Sequence, residues 1–451
     1  MRRLHFITAA ILALIAPTAW GLDFSKYTLK NGMDVYIIPD HRTPVVVNFV
    51  WYKAGAADEK NGQTGIAHML EHLMFKGTKH IPPQEFSKIV ARNGGQDNAF
   101  TSSDYTAYFQ KVAKENLPRM MEIESDRMRG LTFSDAEFLP ERDVVMEERR
   151  WRIDSKPQNR FYEELMYKHM PNHPYGRPVI GWKRDIEAYT ADVAHDWYKR
   201  WYQPNNAFLI LVGDITEEEA KVLVEKTYAQ VPSTKEITHD EWIVEPLWSE
   251  AKRFEKVDPE IQVPTWVRTY RAPSAFAGIA GQKTGTEDFL SLTLLADVLG
   301  GGSSSILYEK LVKEMKLADA VSADYNAVAR GESTFDIIIT PKEGVQLSRI
   351  ESAYEEVLVD FLKNGLSGST DALERAKVRR VSSDVYGRDD PFSAAYVLGR
   401  WLVAGGLADN YDDWLSDIKL VTKQDILSVA GQYLKKSQST TGVLVSDSTQ
   451  F

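Results

Sequence analysis

The chain has 451 residues, too many for one ordinary hydrophobic core, so we expect two to four domains. Hydrophobic residues make up 43% of it and charged residues 26%, as in a typical globular protein, while a net charge of −10 without a basic run beyond the N-terminus argues against a nucleic-acid partner. There is no cysteine, which excludes disulfides, thiol catalysis and cysteine metal ligands.

The N-terminal segment has the pattern of a secretory signal peptide. Arg2 and Arg3 precede a short apolar run at 7–16, and small residues follow near a cleavage point. The run is shorter than the roughly 20 residues that a membrane-spanning helix needs. We therefore predict that the segment is removed, by cleavage after Gly21 or after Ala19, and that the protein is exported. A signal peptide without an outer-membrane anchor favours the periplasm, while full secretion stays open.

Strands and a helix are predicted next along the chain. Residues 27–31 and 33–39 form the two sides of a hairpin around an Asn-Gly turn, and 45–52 is an apolar strand. Apolar residues then recur at helical spacing within 62–77, which predicts an amphipathic helix. After a further helix, residues 98–109 have the aromatic and β-branched composition of a strand pair.

The amphipathic helix carries a His-x-x-Glu-His pattern. His68 and His72 are four positions apart, so both imidazoles project from one face, and Glu71 lies close to that face. Two imidazoles at this spacing bind one Zn²⁺, and the pattern is the inverse of the commoner zinc signature. The alternative is an amphipathic helix whose histidines are polar edge residues. A metal site also needs a third ligand elsewhere in the chain.

An acidic, arginine-rich segment offers that ligand. A capping-box pattern begins a helical region at 134–152, with Pro140 marking a break or a fresh first turn. Glu141 and Glu148 are seven residues apart and therefore share a face, while Glu147 lies about 100° around the helix from Glu148. Taken alone, such a segment is more often a solvated, salt-bridged helix.

The second half of the chain repeats the first. The helix, turn and strand of 190–214 recur at 422–447, and Gly300 corresponds to Gly77 when the helices before them are aligned. The second-half residues at the positions of the His-x-x-Glu-His motif are Ser291, Leu294 and Leu295. The second half therefore copies the fold without the metal ligands.

These motifs resemble those of the inverted-motif zinc peptidases, the family of pitrilysin, insulin-degrading enzyme and mitochondrial processing peptidase. The resemblance covers essentially the whole mature chain. Its motifs are His68-x-x-Glu71-His72, Asn98-Ala-Phe-Thr, Glu141-x6-Glu148, His173-Pro-Tyr-Gly-Arg-Pro-Val-Ile-Gly181 and Gly300-Gly-Gly-Ser-Ser. The family's fold implies an α+β protein of two homologous domains, each a mostly antiparallel β-sheet covered by helices, arranged as a clamshell.

The resemblance implies one Zn²⁺ per chain, held by His68, His72 and a glutamate about 76 residues further on. That spacing selects Glu148, with Glu147 as the competing choice. The family pattern around both residues, and the seven-residue step back to Glu141, favour Glu148. Glu141 is implied to orient a ligand histidine without binding the metal. Zinc rather than manganese or cobalt is a family expectation, since the donor set accepts any of them.

The implied activity is that of a zinc metalloendopeptidase. Three protein ligands leave a fourth position for water, whose pKa zinc lowers toward roughly 7. Glu71 would accept the proton of this water during attack on the peptide carbonyl and pass it to the leaving amine. The substrates would be peptides or unfolded segments, cleaved inside a closed chamber.

Substrate contacts are also implied by the resemblance. Asn98 and Ala99 lie in the edge strand to which family substrates add as an extra strand. Arg388 and Tyr396 are the matches to an arginine and a tyrosine of the other domain that help bind substrate. The competing residues are Tyr386 and Arg400.

These inferences divide the chain into four parts: a signal peptide at 1–21, a zinc-binding catalytic domain at 22–235, a linker at 236–262 and a second homologous domain without metal ligands at 263–451. Short members of the family act as dimers, so we expect a homodimer, or a heterodimer with an inactive homologue. We expect no nucleic-acid partner and no stable membrane anchor after signal cleavage. A non-catalytic structural or substrate-presenting subunit is the rival interpretation, and the full ligand set argues against it.

Overall fold

A computed structural model describes residues 22–233, 236–285, 287–366 and 371–448. The predicted signal peptide lies outside the described residues. The strands are β1 (Ser25–Thr28), β2 (Asp34–Pro39), β3 (Val45–Tyr52), β4 (Gln96–Thr101), β5 (Thr106–Ala113), β6 (Ala207–Gly213), β7 (Lys252–Val257), β8 (Thr265–Ala272), β9 (Ala318–Tyr325), β10 (Ser333–Pro341) and β11 (Ser439–Val445). The helices are α1 (Ile66–Leu73), α2 (Glu85–Arg92), α3 (Leu117–Gly130), α4 (Asp135–Arg149), α5 (Pro157–His169), α6 (Lys183–Glu187), α7 (Ala191–Trp201), α8 (Glu217–Lys226), α9 (Asp288–Gly300), α10 (Leu347–Asn364), α11 (Ala372–Gly387), α12 (Pro391–Ala404), α13 (Asp413–Leu420) and α14 (Lys423–Tyr433).

The first half of the chain forms a six-stranded sheet with the order β1-β2-β6-β3-β5-β4. β2 and β6 run parallel, and the other neighbouring pairs are antiparallel. The predicted hairpin and the predicted strand pair are both present, as β1–β2 and β4–β5. β4 is the outermost strand on its side, and α1 packs beside it.

The second half repeats this sheet with five strands in the order β7-β11-β8-β10-β9. Each strand has a counterpart in the first sheet, including the single parallel pair, β7 with β11. Helix α9 corresponds to α1, and the residues at the positions of the metal motif, Ser291, Leu294 and Leu295, are buried in its core. The predicted α+β class with two homologous halves of mostly antiparallel sheet is confirmed.

The predicted linker is too long at its C-terminal end. β7 lies inside the span 236–262 and pairs with β11 as the outer strand of the second sheet. Four of its six residues are charged and only Phe254 is buried, because one face of this edge strand meets solvent. A strand with so few buried apolar residues has the composition of a connecting segment, and for this reason its sequence predicted a linker and not a strand.

Each half packs one helix on the sheet of the other half, an arrangement called the clasp below. Phe161 and Leu165 of α5 pack on the second sheet, and Leu398 of α12 packs on the first sheet beside Trp51 and Phe49. Both faces of each sheet are therefore covered, which explains why the central strands β6, β8 and β11 are buried along their whole length. The clasp fixes the second half relative to the helices that carry the predicted metal ligands.

The helices that carry those ligands differ in detail from the prediction. α1 is shorter than the predicted span 62–77, and α4 runs through Pro140 to Arg149, so the predicted break is wrong. Burial of Phe138 and Val145 on either side of the proline holds α4 together although one amide is missing from its hydrogen-bond ladder. Among the residues described, no helix is both long and apolar enough to cross a membrane.

Candidate metal centre

Three predicted ligands converge where α1 crosses α4. One donor atom from each of His68, His72 and Glu148 lies within 4.8 Å of the others. Glu148 Oε2 is 3.2 Å from His72 Nε2 and 3.7 Å from His68 Nε2. The competing residue Glu147 points to solvent and pairs with Arg150 at 3.4 Å. Geometry therefore brings Glu148, and not Glu147, to the two histidines.

The hydrogen bond that orients His72 supports the fit of the site to a metal ion. Glu141 Oε1 lies 2.9 Å from His72 Nδ1, so that nitrogen donates to Glu141 and Nε2 is the ring atom that faces Glu148 and is available to a metal ion. Lys76 also pairs with Glu141. Two imidazole nitrogens and one carboxylate oxygen directed at a common point are a donor set that zinc accepts in catalytic sites.

The charges of the group follow from burial and from neighbours. Burial, with a contribution from His72, lowers the pKa of His68 to about 4, so its imidazole is neutral at neutral pH. Burial also opposes the charge on His72, but hydrogen bonds to Glu141 and Glu148 outweigh it and raise the pKa of His72 to about 9. A metal ion at His72 Nε2 competes with a proton, so metal affinity should fall as the pH falls.

Glu71 lies on the same helix and faces the end of β4. Its Oε2 accepts a hydrogen bond from Thr101 Oγ1 at 2.6 Å. Burial raises the pKa of Glu71 above its ordinary value, although the hydrogen bond from Thr101 works in the other direction. A half-buried carboxylate with a raised pKa, held in place beside two metal-ligand candidates, has the properties of a general base.

The predicted substrate-strand residues lie on β4. Asn98 is opposite Phe109 of β5 and Ala99 is opposite Tyr108, so both are on the outermost strand of the sheet. Asn98 is exposed and Ala99 is buried. The main chain of this strand is the edge nearest α1.

The structure separates the other two predicted substrate residues. Arg388 forms ion pairs of 2.5 Å with Asp384 and Asp412 inside the second half. Tyr396 lies against the first half, with its hydroxyl 3.3 Å from that of Tyr105. The competing Arg400 lines the same cavity of about 360 Å³ as Tyr396, and Arg388 does not. Their role in substrate binding stays a prediction.

Three residues at the site were missed by sequence reasoning. Thr101 holds Glu71, Lys76 holds Glu141, and Arg152 pairs with Glu148 Oε1 at 2.8 Å. Thr101 belongs to the Asn-Ala-Phe-Thr motif, which was a signal that could have suggested a role. Lys76 and Arg152 follow the motif residues by one helical turn, a spacing too common to single them out.

The comparisons with known proteins agree with this geometry. The family model described as insulinase (peptidase family M16) matches residues 35–183, and the one described as peptidase M16 inactive domain matches residues 188–378. The chain is 34% identical to the zinc protease PqqE of Helicobacter pylori over 98% of each chain. The crystal structure of a protease from Helicobacter pylori has 30% identity and a TM-score of 0.85, with 94% of this chain and 99% of that one covered.

A third likeness concerns the fold alone. The periplasmic protease PqqL of Escherichia coli is 20% identical with a TM-score of 0.79, covering 95% of this chain and 48% of that one.

The fold and the site together define a metallopeptidase of two homologous halves. The chain belongs to the insulinase family of peptidases, family M16, and it is a zinc metallopeptidase.

Proposed function

We propose that this peptidase cleaves extended peptides or unfolded protein segments, with one Zn²⁺ per chain held by His68, His72 and Glu148. The observation that carries the proposal is the convergence of these three side chains beside Glu71. A bound zinc ion would act as a Lewis acid on the peptide carbonyl and lower the pKa of a coordinated water toward roughly 7.

Glu71 is the general base of the proposed reaction. Thr101 holds Oε2 of this carboxylate, so Oε1 takes the proton of the attacking water and returns it to the leaving amine. The raised pKa of Glu71 favours uptake of the proton from water. The protonated carboxyl is still more acidic than the ammonium of the leaving amine, so it can donate the proton in the second step. Glu141 keeps His72 in the tautomer that presents Nε2.

The substrate binds as an added strand on β4 in this proposal. The outer edge of the sheet offers the main chain at Asn98 and Ala99, directly beside the helix that carries Glu71. Only an extended segment can pair with an edge strand, which favours peptides and unfolded regions over folded proteins.

The cellular setting and assembly belong to the same proposal. We propose export to the periplasm, on the pattern of the N-terminal segment, and the related fold of PqqL is that of a protein described as periplasmic. We also propose a dimer whose four domains enclose a chamber, either a homodimer or a heterodimer with an inactive homologue. The mass of the protein expressed alone, from light scattering after size exclusion, distinguishes the two.

The test is cleavage of a quenched fluorescent peptide by wild type and Glu71→Gln, with bound zinc quantified in both. Activity in the wild type, lost in Glu71→Gln while zinc is retained, is the expected result. Glu147→Gln is the matched control, because its side chain is 68% exposed and lies on the solvent side of α4. Zinc absent from the wild type would refute the metal site. Cleavage by Glu71→Gln at the wild-type rate would remove Glu71 from the mechanism.

A further inference from the structure

The turn between β9 and β10 reaches from the second half into the first at Arg330. Its guanidinium donates two hydrogen bonds to Asp58, at 2.8 Å to Oδ2 and 2.9 Å to Oδ1. The side chain of Asp58 is 1% exposed and that of Arg330 is 15% exposed, so this is a buried, bidentate ion pair between the halves. The ring of Trp242 covers the guanidinium at 4.7 Å.

Asp58 is joined directly to the residue that holds the start of the metal helix. The buried carboxylate of Glu59 accepts hydrogen bonds from the amides of Gly65 and Ala67, at 2.7 and 2.9 Å. These are among the first amides of α1, which have no partner within the helix itself. His68 follows Ala67 immediately. The position of Glu59 therefore sets where the first turn of the metal helix begins.

Arg330 also holds the turn that follows the substrate strand. Its backbone amide donates to Asp104 Oδ2 at 3.1 Å, in the turn between β4 and β5. The neighbouring carbonyls of Ser102 and Ser103 accept the amides of Ala56 and Ala57, at 3.0 and 2.8 Å. The loop before α1 and the turn after β4 are thus bonded to each other and to one arginine. They lead directly to Glu71 and to its partner Thr101.

We infer that Arg330 is a positioning residue through which the half without metal ligands aligns the metal helix with the substrate strand. The expected loss of kcat rests on the proposed function. The expected loosening of the first turn of α1 rests only on the hydrogen bonds described above. Loss of Arg330 removes both charged hydrogen bonds from the buried Asp58 and leaves it only His239, 2.8 Å from Oδ1, and the amide of Gly55. The loop that carries Glu59 must then rearrange to hydrate the carboxylate. The first turn of α1 then loses its fixed anchor.

The test compares Arg330→Met with Arg160→Met. Arg160 of α5 pairs with Asp258 across the same two halves, but its side-chain hydrogen bonds and ion pairs within the described residues go to neither loop, so its removal controls for loss of an ion pair between the halves. Amide hydrogen exchange is followed in chelator-treated protein. We expect the amides of Gly65 and Ala67 to exchange about tenfold faster or more in Arg330→Met and to stay protected in Arg160→Met.

The zinc-loaded proteins give a second readout. In Arg330→Met, kcat should fall about 10- to 100-fold with a smaller change in KM, because the reacting groups lose alignment while the substrate edge is retained. Arg330→Lys should recover part of the loss by restoring one charged hydrogen bond to Asp58. The visible spectrum of the Co²⁺-substituted protein should change in Arg330→Met, since the geometry around His68 changes.

The outcomes separate this inference from the proposed function. Wild type that cleaves no peptide refutes the proposed function, and the exchange rates still decide the role of Arg330. Equal exchange and equal kcat in Arg330→Met and Arg160→Met overturn the inference. If Arg330→Met does not fold, the double variant Arg330→Met/Asp58→Asn takes its place in both measurements. It removes both charges, so neither charge is left buried without the other. Wild-type protection and kcat in the double variant would also overturn the inference.

Discussion

The indole of Trp51 on β3 lies directly against Gly399 of α12, so closely that a Cβ at position 399 would come within 2.3 Å of two ring atoms. The second half repeats the relationship with the roles exchanged. A Cβ at Gly442 of β11 would lie 2.8 Å from both Phe161 and Leu165 of α5. Each half thus presses a helix on the other half's sheet at a glycine, where an added methyl group would overlap the ring of Trp51 in one case and the tips of Phe161 and Leu165 in the other. The clasp between the halves includes these two close approaches.

Replacing Gly399 by alanine should destabilise the protein. In an ordinary helix the substitution is stabilising, because glycine is the poorer helix former by about 1 kcal/mol. Here the added methyl group overlaps the ring of Trp51, and overpacking of this kind typically costs about 1–3 kcal/mol. Urea unfolding of chelator-treated protein measures the change. The control is Gly387→Ala at the end of α11, where a Cβ meets nothing within 4 Å. Equal stabilities of the two variants would show that α12 packs against Trp51 more loosely than the structure indicates.

Much of the fold and of the candidate site could be predicted from the spacing and order of residues in the sequence. The motif on α1 lies within one helix, so spacing alone places His68 and His72 on one face. The halves could be matched because their helices, turns and strands recur in the same order. The third ligand lies on another helix, and periodicity offered both Glu148 and Glu147. Resemblance to a family pattern, rather than helical geometry, selected Glu148.

What sequence reasoning could not supply depends on contacts between the halves. An amphipathic helix such as α5 shows that it has a buried face, but not that the face covers the sheet of the other half. β7 was assigned to the linker because an edge strand with one solvated face has few apolar residues. Arg330 is a single arginine in a turn, and nothing in its neighbourhood in the sequence indicates that Asp58, 272 residues away, is its partner.

Stability should fall as the pH drops below about 6.5 because of His169. Burial, together with the charges of Lys252 and Arg271, lowers the pKa of His169 to about 3. Between that value and its ordinary pKa of about 6.5, the unfolded chain binds a proton that the folded chain does not. The free energy of unfolding therefore rises with pH in this range, by up to about 1.4 kcal/mol per pH unit.

The variant His169→Asn isolates this contribution. Asparagine keeps a polar group near Thr440, whose hydroxyl lies 2.9 Å from His169 Nδ1, but it does not titrate. Urea unfolding of chelator-treated wild type and variant at pH 7 and pH 5 gives the two slopes. We expect the variant to lose less stability on acidification than the wild type. An equal loss would show that His169 is protonated in the folded state at pH 5.

Glu141 should affect zinc affinity without being a ligand. In Glu141→Gln the negative charge beside His72 Nδ1 is lost, which reduces the basicity of His72 Nε2 and leaves Lys76 without its ion pair to Glu141. Changes to residues that orient a metal ligand typically weaken metal binding about 10- to 100-fold. Competition with a chromophoric chelator measures the affinity. Asp143→Asn is the control, since Asp143 lies on the same helix with its side chain 74% exposed. Unchanged affinity in Glu141→Gln would mean that the hydrogen bond, and not the charge, is what His72 requires.

The assignment of the third ligand is tested by the adjacent glutamates of α4. Glu148→Gln should lose zinc on dialysis, because a neutral amide replaces the carboxylate whose Oε2 lies 3.2 Å from His72 Nε2 and 3.7 Å from His68 Nε2. Glu147→Gln should retain zinc at one ion per chain and keep wild-type activity. Both substitutions remove one negative charge from neighbouring positions of one helix, so the overall charge of the protein does not distinguish them. Zinc content by elemental analysis after gel filtration decides between them. Loss of zinc from Glu147→Gln with retention in Glu148→Gln would require α4 to be turned by one residue, about 100°, from the orientation seen here.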